Sequence, residues 1–143
     1  MFPRIKKIIR EYKELKFLAY HDSLTGLLNR NWLYKNIDDI EHDFVYFIDI
    51  NDLRFINQLG HTFGDAHIKM IVSHINVHLT TDDVFIRYAG DEFIIFSNDK
   101  DLVYTNKLYA VGVADCGNVR DIIYAVNSAD ELMIKNKRLF KSK

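Results

Sequence analysis

Apolar residues recur every three or four positions at the start of the chain, where Ile5, Ile8, Tyr12, Leu15 and Ala19 line one side and Ile9 and Leu18 widen the stripe. This spacing predicts an amphipathic helix over residues 1–20. Asp22 and Ser23, either able to cap a helix, open a second predicted helix from about Thr25 to Ile37. Phe44 to Ile50 is apolar at every position but Asp49, the pattern of a strand buried on both faces that delivers one acid at its end. From Asp65 to Leu79, the residues Ile68, Ile71, Val72, Ile75 and Leu79 share one helical face. Two β-rich runs, Val84 to Tyr88 and Phe93 to Phe96, flank Ala89-Gly90-Asp91-Glu92 and predict a hairpin with acids at its turn. Leu108 to Ala114 reads as a further strand and Val119 to about Arg138 as a helix. No repeat or low-complexity tract divides this α/β order.

Composition narrows the class. At 143 residues and 48% hydrophobic, the chain fits one domain with a sizeable core. A formal charge of -1 supplies no cationic field, so no stable nucleic-acid partner is expected. The basic charge is local: Arg4, Lys6, Lys7, Arg10, Lys13 and Lys16 outnumber Glu11 and Glu14 on the first helix. That helix admits three readings: packing on its own domain, a short parallel coiled coil between two chains, or contact with a membrane surface. Cys116 is alone, which excludes an internal disulfide framework and suits a reducing compartment and a core position. No apolar run approaches the roughly 20 residues of a membrane span, and a cytoplasmic location is expected.

The chemistry lies in the acids. A buried strand ending in Asp49 and a turn carrying Asp91 and Glu92 can meet in one sheet. Such carboxylates repel one another by several kcal/mol at about 4 Å and intermediate dielectric, so a cation or proton must offset them. All-oxygen ligation favours Mg²⁺, which takes few carboxylates and keeps positions open for phosphates. Two such ions would activate a hydroxyl and stabilise a leaving phosphate, pointing to phosphoryl transfer.

Five motifs extend the pattern. His21-Asp22-Ser23-Leu24-Thr25-Gly26-Leu27-Leu28-Asn29-Arg30 resembles D-x-L-T-x-L-x-N-R, and Phe47 to Asn57 resembles F-x-D-I-D-x-F-K-x-I-N. Gly60-His61-Thr62-Phe63-Gly64-Asp65 matches G-H-x-x-G-D, and Arg87-Tyr88-Ala89-Gly90-Asp91-Glu92-Phe93 matches R-x-G-G-D-E-F with one change. Ala129-Asp130 through Lys137 and Lys141 resembles A-D-x-A-L-Y-x-A-K-x-x-G-R. In this order, over about Tyr20 to Lys141, they resemble a GGDEF domain of the diguanylate cyclase family. The resemblance implies a palm-like, ferredoxin-related core with a central, mainly antiparallel sheet flanked by helices. It implies domain bounds of 1–20 for the helix, able to dimerise, and 21–143 for a trimmed GGDEF domain.

The implied reaction condenses two GTP into cyclic di-GMP and two pyrophosphates across a homodimer, with two Mg²⁺ or Mn²⁺ ions per site. Position by position, the resemblance puts metal on Asp49, Asp91 and the Ile50 carbonyl, and catalysis on Asp49, Asp91 and Glu92. Asn57 and Asp65 would read guanine, Ala89 and Gly90 would lie against substrate, and Arg54, Lys137 and Lys141 would hold triphosphate.

Departures qualify this picture. Ala89 replaces a glycine and is tolerated only where φ is negative. Asn51 and Gln58 replace acids, and one residue is missing between Asn57 and Gly60. Ser97 to Lys107 leaves no room for the family's next helix, and Thr80 stands where the product-inhibition motif has arginine. These changes keep two other readings open: a catalytically inactive module that binds GTP or a protein, and a cyclase making another nucleotide. His67, His74 and His78 read as surface histidines, His61 as a structural one, and Asn29 and Arg30 as capping or tethering the second helix.

Overall fold

The computed structural model describes residues 2–118 and 121–143. Its elements are α1 (Pro3–Tyr20), β1 (Leu28–Asn29), α2 (Arg30–Asn36), β2 (Phe44–Ile50), α3 (Leu53–Gln58), α4 (His61–Asn76), β3 (Val84–Arg87), β4 (Glu92–Ser97), β5 (Tyr109–Asp115) and α5 (Ile122–Lys141). The five strands form one sheet in the order β1-β3-β4-β2-β5. Only β1 and β3 run parallel, so the sheet is mainly antiparallel, with helices on both faces, as expected.

The near-continuous apolar run of β2 follows from its central place. Val45 and Phe47 face one cluster with Leu33, Ile94, Phe96, Val126 and Met133, while Tyr46, Ile48 and Ile50 face another with Ile68, Ile71, Ile75 and Phe93. Alternate side chains of β2 therefore enter two different layers, one under α2 and α5 and one under α3 and α4. α5 lies so close to β5 that a Cβ on Gly112 would sit 2.0 Å from the Ala129 carbonyl oxygen. Glycine is required there by the approach of two backbones. Cys116 is buried, as anticipated, and burial pushes its thiol up to about 11.

Several boundaries differ from the sequence expectation. The second helix begins at Arg30 rather than Thr25, because Gly26 takes φ +74 and the chain turns back into β1 first. Asp22 closes that turn, accepting from the Thr25 amide at 2.8 Å and hydroxyl at 2.7 Å. Asn29 is the true N-cap: its side chain accepts from the Trp32 amide at 3.0 Å and donates to the Ala19 carbonyl at 2.9 Å, tying α2 to α1. α4 starts at His61 and ends at Asn76, and α3 was not foreseen, since six residues carry too little periodicity. α5 runs three residues beyond Arg138; the expected start at Val119 lies outside the described residues.

After β4 the chain crosses the sheet without a helix, as its length requires. The Tyr46 hydroxyl donates to the Asp99 carbonyl and accepts from the Leu102 amide at 3.2 Å. Leu102 and Val103 are thereby buried in the layer under α4, so the shortened segment contributes its own side chains to the core. Burial pushes the Tyr46 hydroxyl up to about 12.

The N-terminal helix behaves differently from the rest. Every residue of α1 from Pro3 to Ala19 is exposed, and Ile8, Tyr12, Leu15 and Leu18 are each more than 60% exposed. Its main contact with the domain is beside α2, where Tyr12, Leu15 and Ala19 line a groove with Trp32, and most of its apolar stripe is left uncovered.

Candidate active site at the end of β2

Asp49 is the sixth residue of β2 and pairs in register with Glu92 at the start of β4. Alternation puts both on the α5 side of the sheet, and the Ile50 amide donates to the Asp91 carbonyl at 2.8 Å, which draws the turn against the end of β2. The three acids predicted from sequence therefore meet. Arg87 shapes the turn from the other side: its guanidinium bonds both Asp22 oxygens at 3.1 Å and the Gly90 carbonyl at 2.8 Å.

The acids sense one another. Burial pushes the Asp49 carboxyl up, the Lys137 ammonium pulls it back, and Asp91 pushes it up again, with a net rise. Glu92 is raised by burial and then by Asp91, Asp130 and Asp49, while Arg30 opposes them. One oxygen of Asp49, Oδ2, accepts from Lys137 Nζ at 2.7 Å; the other, Oδ1, is buried without a partner. An orphaned buried carboxylate oxygen costs free energy unless a cation or donor reaches it.

A divalent ion fits this donor set. Two or three carboxylates at a strand end, with phosphates completing the coordination, suit Mg²⁺ better than an all-protein cage. Among the described residues no three acidic, histidine or cysteine side chains already converge in such a cage. The ligands would be Asp49 and Asp91, with the Ile50 carbonyl nearby.

Asn57 and Asp65, the residues expected to read guanine, sit on neighbouring elements. Asn57 is exposed near the end of α3 and Asp65 is exposed in α4. The Asn57 side chain lies against Gly64, the residue before Asp65, where a Cβ would fall 1.7 Å from Asn57 Oδ1. The one-residue deletion is absorbed between them: Gly60 takes φ +132 and leads directly into α4. Arg54 and Lys141 are exposed, and neither joins an ion pair among the described residues.

Ala89 is not strained, because Asp52 is the one non-glycine with positive φ among the described residues. Gly90 has open space where a Cβ would be. Asn51 has a use of its own: its amide donates to the Asn106 and Lys107 carbonyls at 3.2 and 3.1 Å, which an aspartate could not do.

Two residues gain roles that motif matching did not supply. Asp130 raises Glu92, and a signal for it existed, since it precedes Lys137 by seven residues and so shares a helix face. Arg30 lies 4.1 Å above the Tyr88 ring and lowers Glu92; no local pattern announces that contact across 58 residues of chain. His74 and His78 are exposed, as expected, with His74 Nδ1 3.3 Å from the Tyr109 hydroxyl, whereas His67 is only partly exposed and its Nε2 is buried without a partner. Asp83, in the position of the product-inhibition motif, accepts from the Thr80 amide at 2.8 Å and so closes a local turn.

Known proteins resemble this chain in sequence and in fold. The diguanylate cyclase DgcP of Escherichia coli is 32% identical over 88 residues, 55% of this chain and 26% of DgcP. The cyclic di-GMP phosphodiesterase PdeR of the same organism is 33% identical over 97 residues, 63% of this chain and 15% of PdeR. The chain spans well under a third of the length of these curated relatives. The coiled coil and GGDEF domain of DgcB from Caulobacter crescentus, solved with c-di-GMP, shares the fold at TM-score 0.82 and 18% identity, over 94% of this chain and 89% of that one. The family model for the diguanylate cyclase, GGDEF domain, matches residues 19–111, well over half the sequence, and the chain belongs to that family.

Proposed function

We propose that this chain is a diguanylate cyclase, condensing two GTP into cyclic di-GMP and releasing two pyrophosphates. The observation that carries the reading is the buried, unpartnered Oδ1 of Asp49 beside Asp91 and in register with Glu92. Membership of the family and relatives named for cyclic di-GMP chemistry support it.

Each protomer would hold one GTP, its base on Asn57 and Asp65 and its triphosphate on Arg54, Lys137 and Lys141. An amide and a carboxylate suit guanine, which offers a carbonyl acceptor and N–H donors, over adenine, which offers an amino group at the same edge. Mg²⁺ or Mn²⁺, two per site, would supply the charge that favours ionisation of a 3'-hydroxyl and departure of pyrophosphate. Glu92, whose proton affinity is raised by burial and then by its acidic neighbours, would accept the 3'-hydroxyl proton. The 3'-oxygen then bonds to the α-phosphorus of the opposite GTP as the bond to the β-phosphate breaks. Repetition with roles exchanged closes the ring.

One half-site cannot finish this product, so two chains must meet. The exposed stripe of Ile5, Ile8, Tyr12 and Leu15 on α1 is the surface to join them, as a short parallel coiled coil.

The test is incubation of purified protein with Mn²⁺ or Mg²⁺ and each nucleoside triphosphate, with product identified by mass and Asp91→Asn as control. Cyclic di-GMP from GTP, lost in the variant, is the expected result. A different cyclic product would overturn the guanine assignment and keep the phosphoryl chemistry. No turnover by a verified dimer would leave a module that binds GTP or a protein.

A further inference from the structure

Lys137 stands in two places at once. By motif it belongs to the triphosphate, yet its ammonium lies 2.7 Å from Asp49 Oδ2, the acid best placed to ligate metal. The pair is neither loose nor a surface accident: the side chains of Lys137 and Asp49 are only 29% and 15% exposed, and α5 packs along β2 over the intervening turns. Among the described residues no other cation is ion-paired to Asp49, Asp91 or Glu92. Neighbouring carboxylates that repel one another need compensating charge in the resting protein just as they do in a loaded one.

We propose that Lys137 is a charge placeholder: its ammonium occupies Asp49 in the nucleotide-free protein and transfers to the triphosphate when metal and nucleotide arrive together. The inference rests on the metal–GTP reading above. Its physical content is a competition for one carboxylate. A divalent ion arriving alone at the free Oδ1 would set its charge across one carboxylate from the ammonium held on Oδ2, and the two cations would repel, whereas metal–GTP brings the phosphate oxygens that receive Lys137. Nucleotide-free protein should therefore bind metal weakly, and metal and GTP should bind cooperatively, the cluster staying closed to free metal until substrate is present.

The measurement is Mn²⁺ affinity of the nucleotide-free full chain by electron paramagnetic resonance, for wild type, Lys137→Met and Lys137→Gln. Lys135→Met, an exposed position on the same helix, is the control for net charge. Removing the competing ammonium should tighten Mn²⁺ binding by about tenfold, with Lys135→Met unchanged. The Lys137 variants should also lose thermal stability in a chelator and regain more of it than wild type on Mn²⁺ addition. Lys137→Gln keeps a donor for Asp49 and guards against loss of fold in the Met variant. Folded Lys137 variants that bind free Mn²⁺ no tighter than wild type would overturn the placeholder. If wild type binds no Mn²⁺ even with GTP, it is the metal-site reading that fails.

Discussion

Ala89 shows how a single backbone angle outweighs a consensus. Its φ is not positive, so the methyl group is accommodated without the strain that would make glycine necessary. Ala89→Gly should leave GTP turnover within about twofold of wild type, measured as initial rate of pyrophosphate release. Gly64 is the opposite case. A Cβ there would meet the end of the flexible Asn57 side chain at 1.7 Å, so α4 can keep its course while Asn57 is pushed aside. Gly64→Ala is predicted to raise KM for GTP by about tenfold, the value of a lost specific contact, with the urea midpoint little changed. Equal losses in KM and in stability would instead mark Gly64 as a packing glycine.

At the scale of elements, α5 and the β1–α2 corner carry the site. Gly112→Ala would set a methyl 2.0 Å from the Ala129 oxygen and 2.3 Å from the Met133 amide nitrogen. Neither is free to move, so the helix must lift from β5, at a cost of about 3 kcal/mol, readable in urea unfolding, and Lys137 should lose its hold on Asp49. The corner depends on Asp22. Burial pushes its carboxyl up, but the Thr25 hydroxyl and amide and the Arg87 guanidinium outweigh that and hold it below 3.8. A folded value below the unfolded one means stabilisation is fully present above pH 3.8 and is lost as pH falls through the lower folded value. Asp22→Asn should therefore cost about 1.5 kcal/mol near pH 7, and the gap from wild type should narrow only below about pH 4. A gap that is flat down to pH 2 would mean the ion pair contributes nothing.

For the whole molecule, the exposed α1 separates folding from assembly. Because it buries no residue, removal of residues 1–20 should leave the cooperative unfolding of the remainder intact. The same deletion should convert a dimer to a monomer in sedimentation velocity and reduce cyclic di-GMP formation at low protein concentration, with recovery as concentration rises. Monomers before and after deletion would remove α1 as the joining surface.

Much of this was legible in one dimension. The near-continuous apolar run of β2, the acids at its end and at the β3–β4 turn, and the stripes on α1 and α4 are local signals, because burial on a strand or helix follows the geometry of the element. The chemistry of the residues followed too, since a carboxylate at the end of a buried strand needs compensating charge wherever the chain goes. Other features depended on contacts between distant segments. Gly26 and Asp22 turn the chain into β1 before α2 begins, a choice settled by pairing with β3 and by Arg87, 65 residues away. The fit of Ala89 rests on one torsion angle, and the partner of Lys137 on the docking of α5 against β2, 88 residues earlier. Motif and period determined which groups the site contains; only packing decided which of them touch, because contact at such separations is specified by the shared core and not by neighbours in sequence.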